Sequence, residues 1–228
     1  LIFNMTFDSA ISSLKRGEFV MIHDSDGREN EIDMVVAAEL VTPEHIVRMR
    51  KHAGGLICLA IDNMLAEKLQ LKYMHNMLSF SNQLDEESKK MIMGTAPYGD
   101  HPTFSISINH KQTYTGITDR DRALTIKEMS TLYQKENPKQ FFNSTFKTPG
   151  HVPLLIASNG LLSSRTGHTE MSVYLTQLAN LSPITAICEM MDSETYSALS
   201  VDKAEKYAKE NAIPFIDGKE LLEFSKVN

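Results

Sequence analysis

The residues best suited to chemistry are crowded into one stretch, from His23 to Asp33, with the sequence HDSDGRENEID. It holds five carboxylates and one arginine within eleven residues. Ionised carboxylates this close repel one another, and such crowding persists where a cation, a shared proton or a cationic substrate offsets the repulsion. The stretch therefore predicts a divalent metal site. A solvated acidic turn is the alternative, because Asp, Ser and Gly are ordinary turn formers.

Three acids at the end of this stretch, Glu29, Glu31 and Asp33, alternate along the chain. On an extended backbone alternate residues share one face at a spacing of about 6 to 7 Å, so we expect the three carboxylates to face one partner. A calcium-binding helix-loop-helix is excluded, because the glycine counted from Asp24 falls too early and Val35 occupies the last ligand position.

A second unusual segment, RTGHTE from Arg165 to Glu170, places a loop before a predicted helix. Free backbone N–H groups, the helix dipole, the Thr169 hydroxyl and the Arg165 fork together would bind an anion such as phosphate. A plain polar loop with a capping threonine is the alternative. His168 could join the acidic cluster around a metal, since divalent cations accept carboxylates and an occasional imidazole.

Two further candidates lie at strand ends. His151 follows Pro149-Gly150 at a predicted strand start, where a side chain can be aimed into a cleft. Glu189 ends an apolar strand where the pattern predicts burial, and burial tunes the pKa of a carboxyl group. The common nucleotide, zinc-protease and serine-hydrolase motifs are missing from the sequence. The residues alone thus indicate a metal-assisted enzyme acting on a small phosphorylated compound.

Composition places the chain among ordinary globular proteins. It has 228 residues, 42% of them hydrophobic and 23% charged, and its net charge of −6 disfavours binding to nucleic acid or an anionic membrane. Cys58 and Cys188 lie in apolar runs, which predicts buried, reduced thiols. The sequence has neither a membrane-spanning apolar run nor a signal-peptide pattern, so we expect a cytoplasmic protein.

The elements that would position these residues alternate loosely between helices and strands, which predicts one α+β domain over residues 1–228, with a mixed sheet packed by helices in layers. Strands are predicted at 19–22, 34–38, 56–61, 104–109, 151–157, 184–190 and 214–216, and helices at 7–16, 42–54, 62–69, 119–132, 168–181, 200–211 and after Asp217.

Two segments give weaker patterns. Residues 72–103 mix methionines, including Met91 and Met93, with a charged run at 85–90. We consider a mobile lid, or a solvated helix whose neighbouring methionines fill gaps in the core. Residues 137–146 are predicted to be irregular surface.

Six segments in this order, DSDGRENEID, GGLIC, TGITDRDRALTI, TPGHVPLL, RTGHTEMSV and ITAICEMM, resemble the 3,4-dihydroxy-2-butanone 4-phosphate synthase family. The specific pair is RENE followed by Asp33, together with RxGHTE. Ile32 stands where a glycine is common. The resemblance covers nearly the whole chain, although residues 72–103 and 199–228 carry little of it.

The resemblance implies a lyase of riboflavin biosynthesis that uses Mg²⁺ or Mn²⁺, two ions per site, to convert D-ribulose 5-phosphate into formate and L-3,4-dihydroxy-2-butanone 4-phosphate. It also implies a homodimer with its active site at or near the interface. Many members carry a fused GTP cyclohydrolase domain, for which this chain is too short. The alternatives are a sugar-phosphate isomerase or aldolase, and a non-catalytic module that binds metal and phosphate.

By the same resemblance, the residues divide into three groups. The metal ligands are Glu29 and His168. The substrate-binding residues are Arg28, Glu29, Asp33, Arg165, Thr166, Gly167, His168, Thr169 and Glu189, and the catalytic residues are His151, Glu189, Glu31, Asp33 and Cys58. This chemistry fits the residue types, because proton abstraction beside a carbonyl needs acids and bases, and a metal chelating adjacent oxygens stabilises the resulting enediol.

Overall fold

A mixed β-sheet is the centre of the computed structural model, which describes residues 2–92 and 94–227, so that Met93 lies outside the described residues. The strands are β1 (Val20–His23), β2 (Ile32–Ala37), β3 (Cys58–Ile61), β4 (Phe104–His110), β5 (Phe146–Ile156), β6 (Ile184–Glu189), β7 (Met191–Asp192), β8 (Ser197–Ala198) and β9 (Phe215–Asp217). Within the described ranges the sheet has the order β4-β5-β3-β6-β2-β1-β9, and β7 pairs with β8 in a separate hairpin.

The pairing mixes both strand directions, as the sequence predicts. β5 runs parallel to β3, and β9 runs parallel to β1. The other neighbours in the sheet are antiparallel. The predicted α+β class with a mixed sheet is thereby confirmed.

Helices cover both faces of this sheet. They are α1 (Ile2–Lys15), α2 (Pro43–Arg48), α3 (Asn63–Leu69), α4 (Met74–Ser79), α5 (Glu86–Lys89), α6 (Asp119–Ser130), α7 (Pro138–Thr145), α8 (His168–Leu178), α9 (Val201–Glu210) and α10 (Gly218–Ser225). Apolar residues of α1, α8 and α10 pack on one face, and those of α2, α3, α6, α7 and α9 pack on the other. No described helix combines the length and the hydropathy needed to cross a membrane.

The predicted helix starts rest on capping side chains. Asp62 accepts a hydrogen bond from the Leu65 backbone N–H at 2.9 Å, and Thr118 accepts one from Asp121 at 3.1 Å. Each bond satisfies a backbone donor that the first turn of a helix leaves free, so these residues fix where α3 and α6 begin.

Two predictions about the weaker segments are wrong. Residues 137–146 are not irregular, because α7 occupies Pro138–Thr145 and buries Phe142 against the sheet. Between residues 72 and 103 the charged run forms the solvated helix α5, capped by Asp85. Met91, however, is 81% exposed and fills no gap in the core.

Candidate active site

The strand alternation brings three predicted residues to the face of the sheet that α8 covers. Val35, Ala60 and Ile187 pack into the same apolar cluster as α8. Because side chains on a strand alternate between faces, Asp33 and Glu189 point to that side as well, as does Cys58. Asp33 and Glu189 are direct partners across β2 and β6.

The loop between β1 and β2 is built around Asp24, which is buried. Its carboxylate accepts hydrogen bonds from the backbone N–H of Glu29 at 2.9 Å and of Glu31 at 3.1 Å, and from Arg28 Nη1 at 3.2 Å. The expected extended face of alternating acids is wrong for Glu29, because Asn30 has a positive φ of 55° and β2 begins only at Ile32. This turn directs Glu29 toward α8 instead.

Glu29 meets His168 at the N-terminus of α8. His168 Nδ1 lies 3.2 Å from Glu29 Oε2, and its Nε2 lies 3.1 Å from the carbonyl oxygen of Glu31 and 3.8 Å from Asp33 Oδ1. Ligand atoms of Asp24, Glu29 and His168 lie within 4.8 Å of one another. The acidic stretch and the RTGHTE segment thus form one site, as the sequence suggests.

Opposite charges in this site stabilise the ionised forms of Glu29 and His168. Burial opposes ionisation of Glu29, but the hydrogen bond and charge of His168 and the charge of Arg28 outweigh it and lower the pKa of Glu29 to about 2. Burial also opposes the His168 imidazolium, yet the charge of Asp33 and the hydrogen bond to Glu29 raise its pKa to about 9. The two groups form an ion pair.

Asp33 is a buried acid of the site. Burial, together with the charges of Glu189, Glu29 and Glu31, raises the pKa of Asp33 to about 7 against the opposing effect of His168. Its Oδ1 makes no hydrogen bond within the described part of the chain. Burial and the charges of Glu29 and Glu189 also raise the pKa of the half-buried Glu31. Both observations indicate a place where a cation or a polar substrate group would be bound.

Glu189 is held at the end of β6 by the chain that precedes β3. It is half-buried, so the expectation of burial is met only in part, because β6 ends at this residue. Its Oε2 accepts a hydrogen bond from the Leu56 N–H at 2.8 Å. A Cβ on Gly55 would collide with the Glu189 side chain, so this close approach requires glycine.

Two arginines flank the loop before α8. Arg165 Nη1 donates to the fully buried Glu170 at 2.6 Å, and Glu170 also accepts from the Ser158 N–H. Arg28 Nη1 lies 3.0 Å from Glu29 Oε1, and its guanidinium stacks 4.7 Å from the centre of the Tyr98 ring. Both guanidinium groups are therefore fixed before any ligand binds.

These groups surround a cleft of 210 Å³. Of the predicted site residues, all of which the structure describes, those lining the cleft are Glu29, Asp33, Arg165, His168, Thr169 and Glu189. The predicted residues outside its lining are Arg28, Glu31, Cys58, His151, Thr166 and Gly167. Arg28, Glu31, Thr166 and Gly167 lie within two positions of a lining residue along the chain.

His151 stands apart from this group. It is exposed on β5, four positions before Leu155, which lines the cleft. Its backbone N–H donates to Asn109 Oδ1 at 2.8 Å, and the Asn109 amide lies 3.1 Å from its ring Nδ1. The imidazole is thus held in a defined position that faces solvent in the single chain.

Both cysteines are free and buried, as predicted. Cys58 lies on the face of the sheet that α8 covers, whereas Cys188 packs into the apolar cluster on the other face. Burial, with the charges of Glu189 and Asp33, raises the pKa of the Cys58 thiol far above its ordinary value. The group is therefore a poor nucleophile at neutral pH.

Three site residues were not predicted from the sequence. Asp24 organises the acidic loop; the sequence marked it only as one of five clustered carboxylates and gave it no role of its own, since its DSDG setting equally fits an ordinary turn. Tyr98 donates a hydrogen bond to Glu29 Oε1 at 2.7 Å, and Thr103 lies 3.2 Å from Thr169 between their hydroxyl oxygens. Both come from residues 72–103, whose irregular pattern gave no signal.

Comparison with known proteins supports the resemblance seen in the sequence. The family model described as 3,4-dihydroxy-2-butanone 4-phosphate synthase matches residues 8–224. A synthase of that name from Methanothermobacter thermautotrophicus is 44% identical over 214 residues, covering 94% of this chain and 93% of the relative. The enzyme of the same name from Saccharomyces cerevisiae is 32% identical, covering 96% of this chain and 97% of the relative.

Solved structures show the same similarity. A crystal structure of 3,4-dihydroxy-2-butanone 4-phosphate synthase in complex with two magnesium ions has a TM-score of 0.77 and 28% identity, covering 97% of this chain and 96% of that chain. The structure of the Candida albicans enzyme has a TM-score of 0.74 and 32% identity, with 95% of both chains covered.

Proposed function

This chain belongs to the 3,4-dihydroxy-2-butanone 4-phosphate synthase family of riboflavin biosynthesis, and from that premise we propose how its cleft converts D-ribulose 5-phosphate into formate and L-3,4-dihydroxy-2-butanone 4-phosphate, a lyase reaction. One observation carries the proposal, namely that Glu29, Asp33, Glu189 and His168 line the same cleft as Arg165. The acidic and basic side chains thereby face the Arg165 guanidinium, a cation that can hold a phosphate group.

The donors around Glu29 suit a hard divalent cation. The ligand atoms of Asp24, Glu29 and His168 are close enough to share one ion, and Asp33 offers a buried oxygen without a partner. The oxygens of Asp24 already accept three hydrogen bonds, so we assign Glu29 and His168 as the ligands. We propose Mg²⁺ or Mn²⁺, two ions per site, following the relative that binds two magnesium ions. Such ions, when bound, polarise substrate oxygens and stabilise negative charge.

We propose that the protein's own acids move protons beside the substrate carbonyl. Asp33 and Glu189 face the cleft from adjacent strands, and Glu189 is fixed by the Leu56 N–H. We assign both to proton transfer and leave Glu31 as a nearby acid of the same pocket. Arg28 and Asp33 contact the substrate's hydroxyl groups in this proposal. The enclosing walls of Ile187 and Leu155 limit access of water.

Arg165, Thr166, Gly167 and Thr169 hold the phosphate in this proposal, next to the N-terminus of α8. We expect Arg165→Ala to raise KM for ribulose 5-phosphate by roughly ten- to a hundredfold, because a charge-assisted contact of this kind is worth about 1.5 to 3 kcal/mol. Steady-state kinetics measures the effect.

Loss of Arg165 also leaves the buried carboxylate of Glu170 without its positively charged partner, so a stability control is needed. Arg165→Lys keeps a charge near Glu170 but loses the guanidinium fork, and the exposed Arg16→Ala serves as the surface control. A fall in kcat with KM unchanged would show that this loop does not bind the phosphate in the ground state.

Cys58 supports the wall of the site by packing. We expect Cys58→Ser to lower activity moderately, by about tenfold or less, because the raised pKa keeps the thiol neutral and serine places a hydroxyl in an apolar setting. Cys188→Ser is the matched control, since it makes the same change in the same sheet on the opposite face. A loss from Cys58→Ser as complete as that from removing a metal ligand would instead assign the thiol a direct role in catalysis.

We also propose a homodimer in which His151 completes the partner's site, supported by the distance along β5 between His151 and the cleft-lining Leu155 and by the exposed, fixed imidazole. A C2 dimer presents such a segment twice at one interface. The two buried free cysteines support a cytoplasmic location.

The deciding experiment for the function is a formate assay. Incubation with ribulose 5-phosphate and Mg²⁺ should release one formate for each sugar phosphate consumed, and excess chelator should stop the reaction. An isomerase or aldolase would consume the sugar without forming formate. A non-catalytic binding module would leave the sugar unchanged.

A further inference from the structure

Asp100 lies between the two arginines of the site. Its Oδ2 accepts a hydrogen bond from Arg28 Nε at 2.8 Å and lies 3.6 Å from Arg165 Nε. The arginine side chains are buried, with exposures of 6% and 12%, whereas that of Asp100 is 31% exposed. A partly exposed carboxylate on a loop therefore lies between two enclosed cations, in addition to Asp24 and Glu29 beside Arg28 and Glu170 beside Arg165.

The two guanidinium groups converge beside Gly167. A Cβ on Gly167 would collide with Arg165 Nη1 and would lie 2.9 Å from Arg28 Nη2. Arg28 Nη2 and Arg165 Nε are buried and make no hydrogen bond to any described residue. Two like charges with unused donors form a site for a multivalent oxyanion, which Asp100 fills only in part.

From this geometry we propose that Asp100 is a positioning residue that holds Arg28 and Arg165 in the empty site and competes with the phosphate group of the substrate. The inference rests on the phosphate assignment of Arg165 made above. A phosphate dianion that reaches these arginines is repelled by the Asp100 carboxylate, so the carboxylate withdraws as the phosphate binds. Asp100 thus lowers the affinity of the arginine pair for phosphate, because an anion must displace its carboxylate to bind.

The surrounding loop is held by contacts on either side of Asp100. Tyr98 reaches Glu29 through its hydroxyl group, and the His101 ring stacks 5.3 Å from the ring of His75. His75, Asp100 and His101 line a second cavity of 490 Å³ that shares Arg165 with the cleft. This cavity gives the Asp100 side chain a place to move without unfolding the sheet.

The test measures binding of inorganic phosphate by isothermal titration calorimetry to the wild-type protein, to Asp100→Asn and to the control Asp202→Asn, an exposed aspartate on α9. Asparagine keeps the shape of the side chain and removes its charge. We expect Asp100→Asn to bind phosphate about tenfold more tightly, as loss of a charged competitor predicts, while the control matches the wild type. KM for ribulose 5-phosphate should fall without a matching rise in kcat.

A second measurement is thermal unfolding without and with phosphate. Without its carboxylate the two arginines keep Asp24, Glu29 and Glu170 but lose the one acid that lies between them, so Asp100→Asn should have a lower Tm than the wild type in phosphate-free buffer and a larger rise in Tm with added phosphate. Asp100→Ala repeats both measurements with the hydrogen bond to Arg28 also removed. Unchanged or weaker phosphate binding in both variants overturns the proposal.

Arg165→Ala separates this inference from the proposed function. If that variant loses phosphate binding while the Asp100 variants bind as the wild type does, the competitor role of Asp100 fails and the phosphate site stands. If Arg165→Ala binds phosphate as tightly as the wild type, the phosphate assignment itself fails, and the role of Asp100 fails with it.

Discussion

Glu29→Gln should yield a folded protein whose kcat/KM is lowered more than about 100-fold. Mutating a residue that merely hydrogen-bonds to a metal ligand commonly lowers metal affinity or activity 10- to 100-fold, and Glu29 is assigned as a ligand itself. Its carboxylate contacts His168, Arg28 and Tyr98, so loss of its charge affects every group around it. Glutamine keeps the size of the side chain. Formate release measures the activity, and calorimetric titration with Mg²⁺ measures the loss of metal affinity.

The control for this variant is Glu194→Gln, which removes one charge from a side chain that is 81% exposed. Glu194 is far from Glu29 along the chain. Thermal unfolding of both variants separates a local effect from loss of the fold. Full activity of Glu29→Gln, or of the wild type in excess chelator, would end the metal hypothesis.

Mixing two inactive homodimers, Glu29→Gln and His151→Ala, should restore activity if the site is shared between subunits. Each mixed dimer then contains one site with both residues intact and one with neither. Random exchange makes about half of the dimers mixed and half of their sites intact, so activity should recover to about a quarter of the wild-type level. Formate release after subunit exchange is the measurement.

Mass spectrometry of the intact dimers must confirm that exchange has occurred. If mixed dimers form and activity stays at the level of the single variants, both residues act within one chain and the shared-site model fails. Asn109→Ala adds a useful comparison, because it frees the His151 ring without removing it. Partial activity in that variant would assign Asn109 to holding the imidazole.

The strands and helices that position the site were predictable because their signals are local. Thr118 and Asp62 mark helix starts through their own hydrogen bonds, and the apolar runs mark β2 and β6. The short helix α7 was missed because its sequence pattern resembles that of a loop. Its helical structure becomes favourable when the sheet is present to bury Phe142. Packing against a distant element decided its structure, and a local pattern does not contain that information.

The site was predictable only in part, for a similar reason. Residue types and resemblance selected Glu29 and His168, which the structure brings to 3.2 Å. The positive φ of Asn30 reverses the direction in which Glu29 points, and no alternation rule predicts it. Asp24 and Asp100 are ordinary acids in the sequence, and their partners become evident only when the loops meet.

The strand order also determines when this site can exist during folding. Glu29 and His168 are 139 positions apart, and the Asp33–Glu189 pair forms only after β6 has entered the sheet between β2 and β3. Closing such long loops is slow, and the unfolded chain does not hold the acidic loop beside α8. Ligands that need both the acidic loop and α8 therefore bind only the completed fold, which they stabilise by mass action. Their effect falls on the rate of unfolding, and refolding proceeds at its own pace.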